Sequence, residues 1–258
     1  MTSEATDLEA ALAAVEADAD GAIKALAAAM RAARRVKSAA AFGQVRELEQ
    51  SLANASGLAQ EASGAVAVME NDWRFDVRGW FDSGEYTSEL LAAAAAAGVK
   101  AYLSDDRILC YPVIVQVLAD ASLSVDRQRD RRVRPSVAVR HLAALQQRPP
   151  KFKPEAFIES LVAAYDYVVA VKHLRPGAPA KLVDVHRVLT LLPGTARDYT
   201  RQEFARDMYL LDQSGVVAVK DGRRMSLPAS ALTRGSGVLT TVTRGGQSKI
   251  YAGISFQE

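Results

Sequence analysis

The sequence predicts an α+β protein, mostly helical, with a helical N-terminal arm, a small central sheet and a C-terminal part of three helices and β-hairpins. Three observations predict it. All nine prolines lie at or after Pro112, so nothing interrupts long helices before that point. The first 63 residues repeat apolar side chains at alternating steps of four and three. Beyond residue 98, short apolar runs alternate with polar turns.

The arm is expected as two helices, 5–38 and 43–63. The first carries the series Leu8, Leu12, Val15, Ala19, Ala22, Leu26, Ala29, Ala33, Val36. The second carries Val45, Leu48, Leu52, Ala55, Ala59, Ala62, and Gly43 lies between them. Alanine at so many seam positions buries little area per layer, at ~25 cal/mol per Å². Such a pair packs on the rest of its chain, binds a protein partner, or self-associates through residues 5–63. The aromatic segment 69–81, with both tryptophans, is read as core packing, because Asp72 and Asp76 interrupt any base-stacking surface.

The middle region is expected as a helix over 85–97, ended by Gly98, then three antiparallel strands. These are 99–103, 107–117 and 123–133, with Pro112 as a bulge or edge in the second. Pro135 ends the third strand, and a helix follows over 137–147. Three prolines within 147–154 mark a linker. The expected domains are therefore 1–68, 69–148 and 149–258.

In the C-terminal part, helices are expected over 154–172, 182–192 and 200–213. Pro193-Gly194 stops the second, and Thr200 with Glu203 forms a capping box on the third. Strands 216–220 and 223–227 flank Asp221-Gly222, a hairpin signal, and strands 238–243 and 248–255 flank Gly245-Gly246. Three helices followed by a hairpin resemble the element order of a winged-helix domain. That resemblance covers about residues 154–255 and departs from the plain pattern by its extra hairpin. It implies a third helix in the DNA groove, offering Arg201, Gln202 and Arg206, and hairpins on the backbone, offering Lys220, Arg223, Arg224, Arg234, Arg244 and Lys249.

Charge points the same way. The whole chain is only +2, yet residues 127–153 hold Arg127, Arg129, Arg131, Arg132, Arg134, Arg140, Arg148, Lys151 and Lys153 against a single acid, Asp130. On one straight strand, alternation would set Arg127, Arg129 and Arg131 on one face and Arg132 and Arg134 on the other. So one-signed a block needs a neutralising partner: nucleic-acid phosphates, a partner protein, or acidic groups of the same chain.

Chemistry finds little support. His141, His173 and His186 lack ligand spacing, and no phosphate-loop motif is present, so neither metal nor cofactor is expected. Cys110 stands alone among apolar neighbours, which excludes an internal disulfide and reads as an inert buried thiol. No stretch is long and apolar enough to span a membrane, and a cytoplasmic location is expected. The expected function is a non-enzymatic, DNA-associated accessory subunit of a larger assembly, contacting mainly phosphates. The alternative is a protein–protein adaptor that uses the helical arm and touches no nucleic acid.

Overall fold

A computed structural model describes residues 7–192, 199–228 and 237–258. The protein is α+β, with long N-terminal helices and a five-stranded antiparallel sheet. The chain divides into two compact units. The first is Met1–Glu89 with Ala119–Ala121 and Arg134–Ser136. The second is Leu90–Leu118, Ser122–Val133 and Val137–Glu258.

The first unit is dominated by a helical hairpin of α1 (Leu8–Ala41) and α2 (Val45–Asp72). Against the expected 5–38, α1 begins after its cap Asp7 and ends three residues later, and α2 runs nine residues beyond the expected 63. Asp7 caps α1 by accepting from the Ala10 amide at 2.8 Å. Glu89 adds a cap from elsewhere in the unit, accepting from the amides of Leu8 and Glu9 at 3.2 and 2.8 Å and from Trp80 Nε1 at 2.8 Å. Three donors that would otherwise be orphaned thus converge on one carboxylate. At the far end Gly43 takes φ +69°, and the Gln44 amide reaches back to the Ala39 carbonyl at 2.9 Å, closing the helix with a left-handed residue that favours glycine.

The seam of this hairpin differs by one residue from the expected one in every second position. Leu8, Val15, Ala22, Ala29 and Val36 face inward as expected. Their partners are Ala11, Asp18, Ala25, Ala32 and Ala39, whereas Ala33 and Leu26 are exposed. On α2 the inward set is Leu48, Ser51, Ala55, Leu58, Ala62, Ala65 and Met69, while Val45 and Leu52 are exposed. Small side chains let the helices approach closely along their length, and two isolated leucines do not outweigh that. The aromatic segment is shared between the end of α2 and a short helix, α3 (Val77–Asp82). Phe81 is buried and stacks on Tyr86 at 4.2 Å between ring centroids.

In the second unit, α4 (Glu85–Ala96) leads in from the first and ends at Gly98, at φ +70°, as expected. The meander that follows has β1 (Tyr102–Ser104), β2 (Arg107–Cys110), β3 (Val113–Leu118), β4 (Ser122–Val125) and β5 (Gln128–Asp130), each paired with the next. This corrects the three-stranded expectation, because two of the expected strands each fold back on themselves. Pro112 has no amide to give to a ladder, and Tyr111-Pro112, a cis peptide, forms the reversal between β2 and β3. Asp126 and Arg127, at φ 45° and 68°, form a two-residue turn of the kind that matches strand twist, pairing Val125 with Gln128. The straight strand 123–133 does not exist, and neither does the arginine comb built on it. Pro135 starts a helix, α5 (Pro135–Gln146), instead of only ending a strand.

Next come α6 (Pro154–Val171), β6 (Ala180–Lys181), α7 (Leu182–Leu189) and α8 (Arg201–Ser214). The chain ends with β7 (Arg224–Ser226), β8 (Leu239–Val242), β9 (Ser248–Tyr251) and β10 (Gly253–Gln257). The expected hairpin 216–227 is reduced to a single bridge, Ala218 to Arg224, and β7 pairs with β10 instead. The expected strand 248–255 breaks at Ala252. Its second half, β10, becomes the middle of a three-stranded sheet in the order β6-β10-β7, while β8 and β9 pair separately. The apolar sides of α6, α7 and α8 meet these strands in one core that includes Leu161, Tyr165, Leu182, Phe204, Met208, Leu211, Ile254 and Phe256. The expected stop Pro193-Gly194, Arg234 and residues 5 and 6 of the first helix lie outside the described residues.

Ala121 closes the three-residue loop between β3 and β4 at φ 54°, a position that favours glycine. Ala121→Gly is expected to raise stability by about 0.5–1 kcal/mol, as relief of left-handed strain exceeds the added freedom of the unfolded chain. Denaturant unfolding of the two proteins, compared at equal slope, checks this.

Candidate nucleic-acid interface

Four residues of the basic block, Arg129, Arg132, Arg148 and Lys151, line a cleft in the second unit with a volume of about 620 Å³. Its floor is apolar: Pro112, Val113, Val125, Leu145, Phe152 and Leu210. Its rim carries Arg129 from β5, Arg132, Arg148 and Lys151 from the segment after α5, and Arg206 from α8. Asp126, Asp130 and Asp207 also line it, beside His141. Five cations stand against three carboxylates.

The carboxylates are already engaged. Arg132 donates to both oxygens of Asp130 through Nε and Nη2 at 2.9 and 2.7 Å, which pulls the Asp130 carboxyl down to about 2. Arg206 donates to Asp126 at 2.7 Å and to Asp207 at 2.9 Å. Burial raises the Asp207 carboxyl above its ordinary range, despite Arg206 and the Tyr199 hydroxyl that donates to it at 2.9 Å. Arg129 donates to the Ser122 hydroxyl at 3.1 Å. Arg148 and Lys151 are exposed and hold no ion pair among the described residues.

The remaining expected contacts are dispersed. Arg127 sits in the β4–β5 turn, where its Nε donates to buried Glu203 at 2.8 Å. Arg131 and Arg201 are exposed. Arg134 belongs to the first unit, where it pairs with Glu9 and Glu16 of α1. Arg223 grips both oxygens of Asp166 at 2.7 and 2.8 Å and also pairs with Asp221. Exposed Arg224 opens β7. Arg244 lies in the β8–β9 turn, where its amide bonds the Tyr209 hydroxyl at 3.2 Å. Lys249 is 3.7 Å from Asp212 and lies over the Tyr251 ring. The arginines are thus shared among several sites, and much of the charge is neutralised within the chain.

The helix expected to enter a groove is engaged on its polar side as well. Its capping box is present as expected, with the Glu203 carboxylate accepting from the Thr200 amide at 2.7 Å and hydroxyl at 2.9 Å. Gln202 donates to Asp105 at 3.0 Å, from the turn between β1 and β2. Glu203, Phe204, Ala205 and Met208 through Leu211 are buried. The signal missed in the sequence is the pair Asp126-Arg127. Its two opposite charges are answered by Arg206 and Glu203 on α8.

His186 is packed into the second unit. It is buried, its Nε2–H donates to the Tyr199 carbonyl at 2.8 Å, and burial lowers its pKa. Cys110 is fully buried, and burial pushes its thiol up to about 12. Among the described residues, no group of three His, Cys, Asp or Glu side chains is arranged to hold a metal ion, and no helix is long and apolar enough to cross a membrane. No protein-family model, curated protein or solved structure matches the chain.

Burial alone would raise the Glu203 carboxyl, but bonds from Arg127 and Thr200 outweigh it and hold the group below the ordinary glutamate range. A depressed carboxyl stabilises the fold above its unfolded value and loses that contribution as pH falls through the folded value. Glu203→Gln is therefore expected to cost about 1–2 kcal/mol at neutral pH. Its deficit should narrow as both proteins are acidified below pH 4.5. Unfolding curves across that range check the sign; a deficit independent of pH counts against it.

Proposed function

We propose that this protein binds the phosphate backbone of duplex DNA without catalysing a reaction, as an accessory subunit of a larger assembly. The observation that carries this reading is the cleft rim, where Arg148 and Lys151 stand without an ion pair beside Arg129. Arg131, Arg140 and Lys153 are exposed as well and add to the positive charge of residues 127–153. Contacts of this kind neutralise phosphates and do not read bases, since no Asn, Gln or Arg set offers a bidentate pattern toward base edges. The sequence order of α6, α7 and α8 followed by β7 supports a winged-helix-like reading of residues 149–258. In this reading α8 is a scaffold for the cleft and not the element that enters a groove.

A second reading is a protein–protein adaptor that uses the helical arm. It draws on Ile23, Leu26 and Met30, which are all at least half exposed on α1, and on the internal pairing of Arg127, Arg132, Arg134, Arg206 and Arg223.

Binding of a labelled duplex, followed by fluorescence anisotropy, tests the first reading. With about three phosphates neutralised, affinity should fall roughly 40-fold between 50 and 200 mM salt. Arg148→Ala with Lys151→Ala should weaken binding to all sequences alike and flatten the salt dependence by about two charges. No binding at low salt, or binding indifferent to these two residues, sinks the proposal. Cytoplasmic location belongs to the same proposal and is checked by fractionation.

A further inference from the structure

The helical hairpin has two flanks, and only one of them is apolar. In heptad terms the inward positions a and d of α1 are Leu8/Ala11 and their repeats, and those of α2 are Leu48/Ser51 and their repeats. In an antiparallel pair, the e positions of both helices border the same side of the seam and the g positions border the other. Leu26 on α1 and Val45, Leu52 and Val66 on α2 all fall at e. Ile23 and Met30 fall at b, next to the e row on the helix surface. These six side chains are between 40% and 65% exposed. The g side carries Gly21, Arg35, Glu47, Asn54 and Glu61, with Val68 as its one large apolar residue. A one-sided apolar row on a long, alanine-seamed hairpin is a surface made for another surface.

The charges along α1 say what that other surface is. From Asp7 to Asp20 the helix carries Asp7, Glu9, Glu16, Asp18 and Asp20 and no base. From Gly21 to Ala41 it carries Lys24, Arg31, Arg34, Arg35 and Lys37 and no acid. A second α1 laid antiparallel, with its two-fold axis between Leu26 and Ala27, brings Ile23 against the partner copy's Met30 position and Leu26 against its Ala27 position. The same register sets Asp20 beside Arg34 and Glu16 opposite Lys37 across the interface. A parallel arrangement would instead stack acid on acid and base on base. Glu16 is already engaged by Arg134, so the diagnostic pair is Asp20 with Arg34, neither of which holds an ion pair among the described residues.

We infer that the e face of the hairpin binds a second copy of this chain, antiparallel along α1, to form a two-fold dimer. The inference rests on the adaptor reading and gives it a definite occupant; it does not depend on DNA binding.

Analytical ultracentrifugation of the full chain tests it. A dimer is expected in the micromolar range. Leu26→Asp should yield a monomer whose helix content, by circular dichroism, is that of the wild type. Asp20→Lys and Arg34→Glu, both at exposed sites, should each raise the dimer dissociation constant roughly tenfold. Combining the two in one chain should restore it, because in an antiparallel homodimer the swapped charges meet again. A chain that stays monomeric at concentrations on the order of 100 µM overturns the inference, whether or not some other protein binds the arm. So does a dimer indifferent to Leu26→Asp, or a double variant no tighter than the single ones. The adaptor reading fails separately, if deleting the arm leaves every protein association of the chain intact.

Discussion

The organisation of the second unit depends on a reciprocal exchange of charge between one turn and one helix. Asp126 and Arg127 occupy the two central positions of the β4–β5 turn. Asp126 accepts from Arg206, and Arg127 donates to Glu203. Both partners lie in the first half of α8. Glu203 is at once the capping-box residue, the recipient of Arg127 and a buried side chain, so the helix start and the tip of the sheet share one carboxylate. Removing Arg127 leaves the Glu203 carboxylate charged and buried, which makes the arrangement more costly to break from that side than its individual contacts suggest. Asp126 also accepts from the Ile114 amide at 3.0 Å, which ties the turn back to β3.

That exchange explains why the arginine block does not behave as a single patch. Nine basic residues within 27 positions would repel one another as an open strand. The turn at Asp126-Arg127 reverses the chain before the block can extend. From there each arginine meets a different neighbour: Arg127 goes to α8, Arg132 to Asp130 beside it, and Arg134 to α1. Among the described residues, Arg148 and Lys151 are two of the charges of this block that hold no ion pair, and they lie on the proline-interrupted segment that could not form a helix. Pro149 and Pro150, which looked only like a linker, line the cleft beside these side chains and keep that segment from being helical.

The arm shows a different balance. Its alanine content was evident as weakness, since alanine buries little. In the folded hairpin, alanine is what allows close approach over many turns, and Leu26, Val45 and Leu52 are left outside. A seam chosen for small side chains and a flank carrying large ones give a helix pair that is complete on one side and adhesive on the other. The expected register chose leucine over alanine because burial per residue favours it. The fold chose alanine, because dispersion contacts accumulate along the whole seam when the axes come close.

Local chemistry was enough to determine much of this protein from its sequence. The long proline-free helices, the glycine that ends α4, the start of α6 at Pro154 and the Thr200–Glu203 capping box all follow from contacts within a few residues, and all are present. The burial of Cys110 was legible for the same reason, as it sits in an apolar run. Tertiary structure alone decided the rest. Whether Asp126-Arg127 continues a strand or turns it depends on Glu203 and Arg206, some 80 residues away. Whether residues 223–227 pair with 216–220 or with β10 depends on which strand completes the sheet over α6 and α8. Whether an arginine is spent on a carboxylate or left for a ligand depends on which acids the fold brings within 3 Å, and no count along the chain contains that distance.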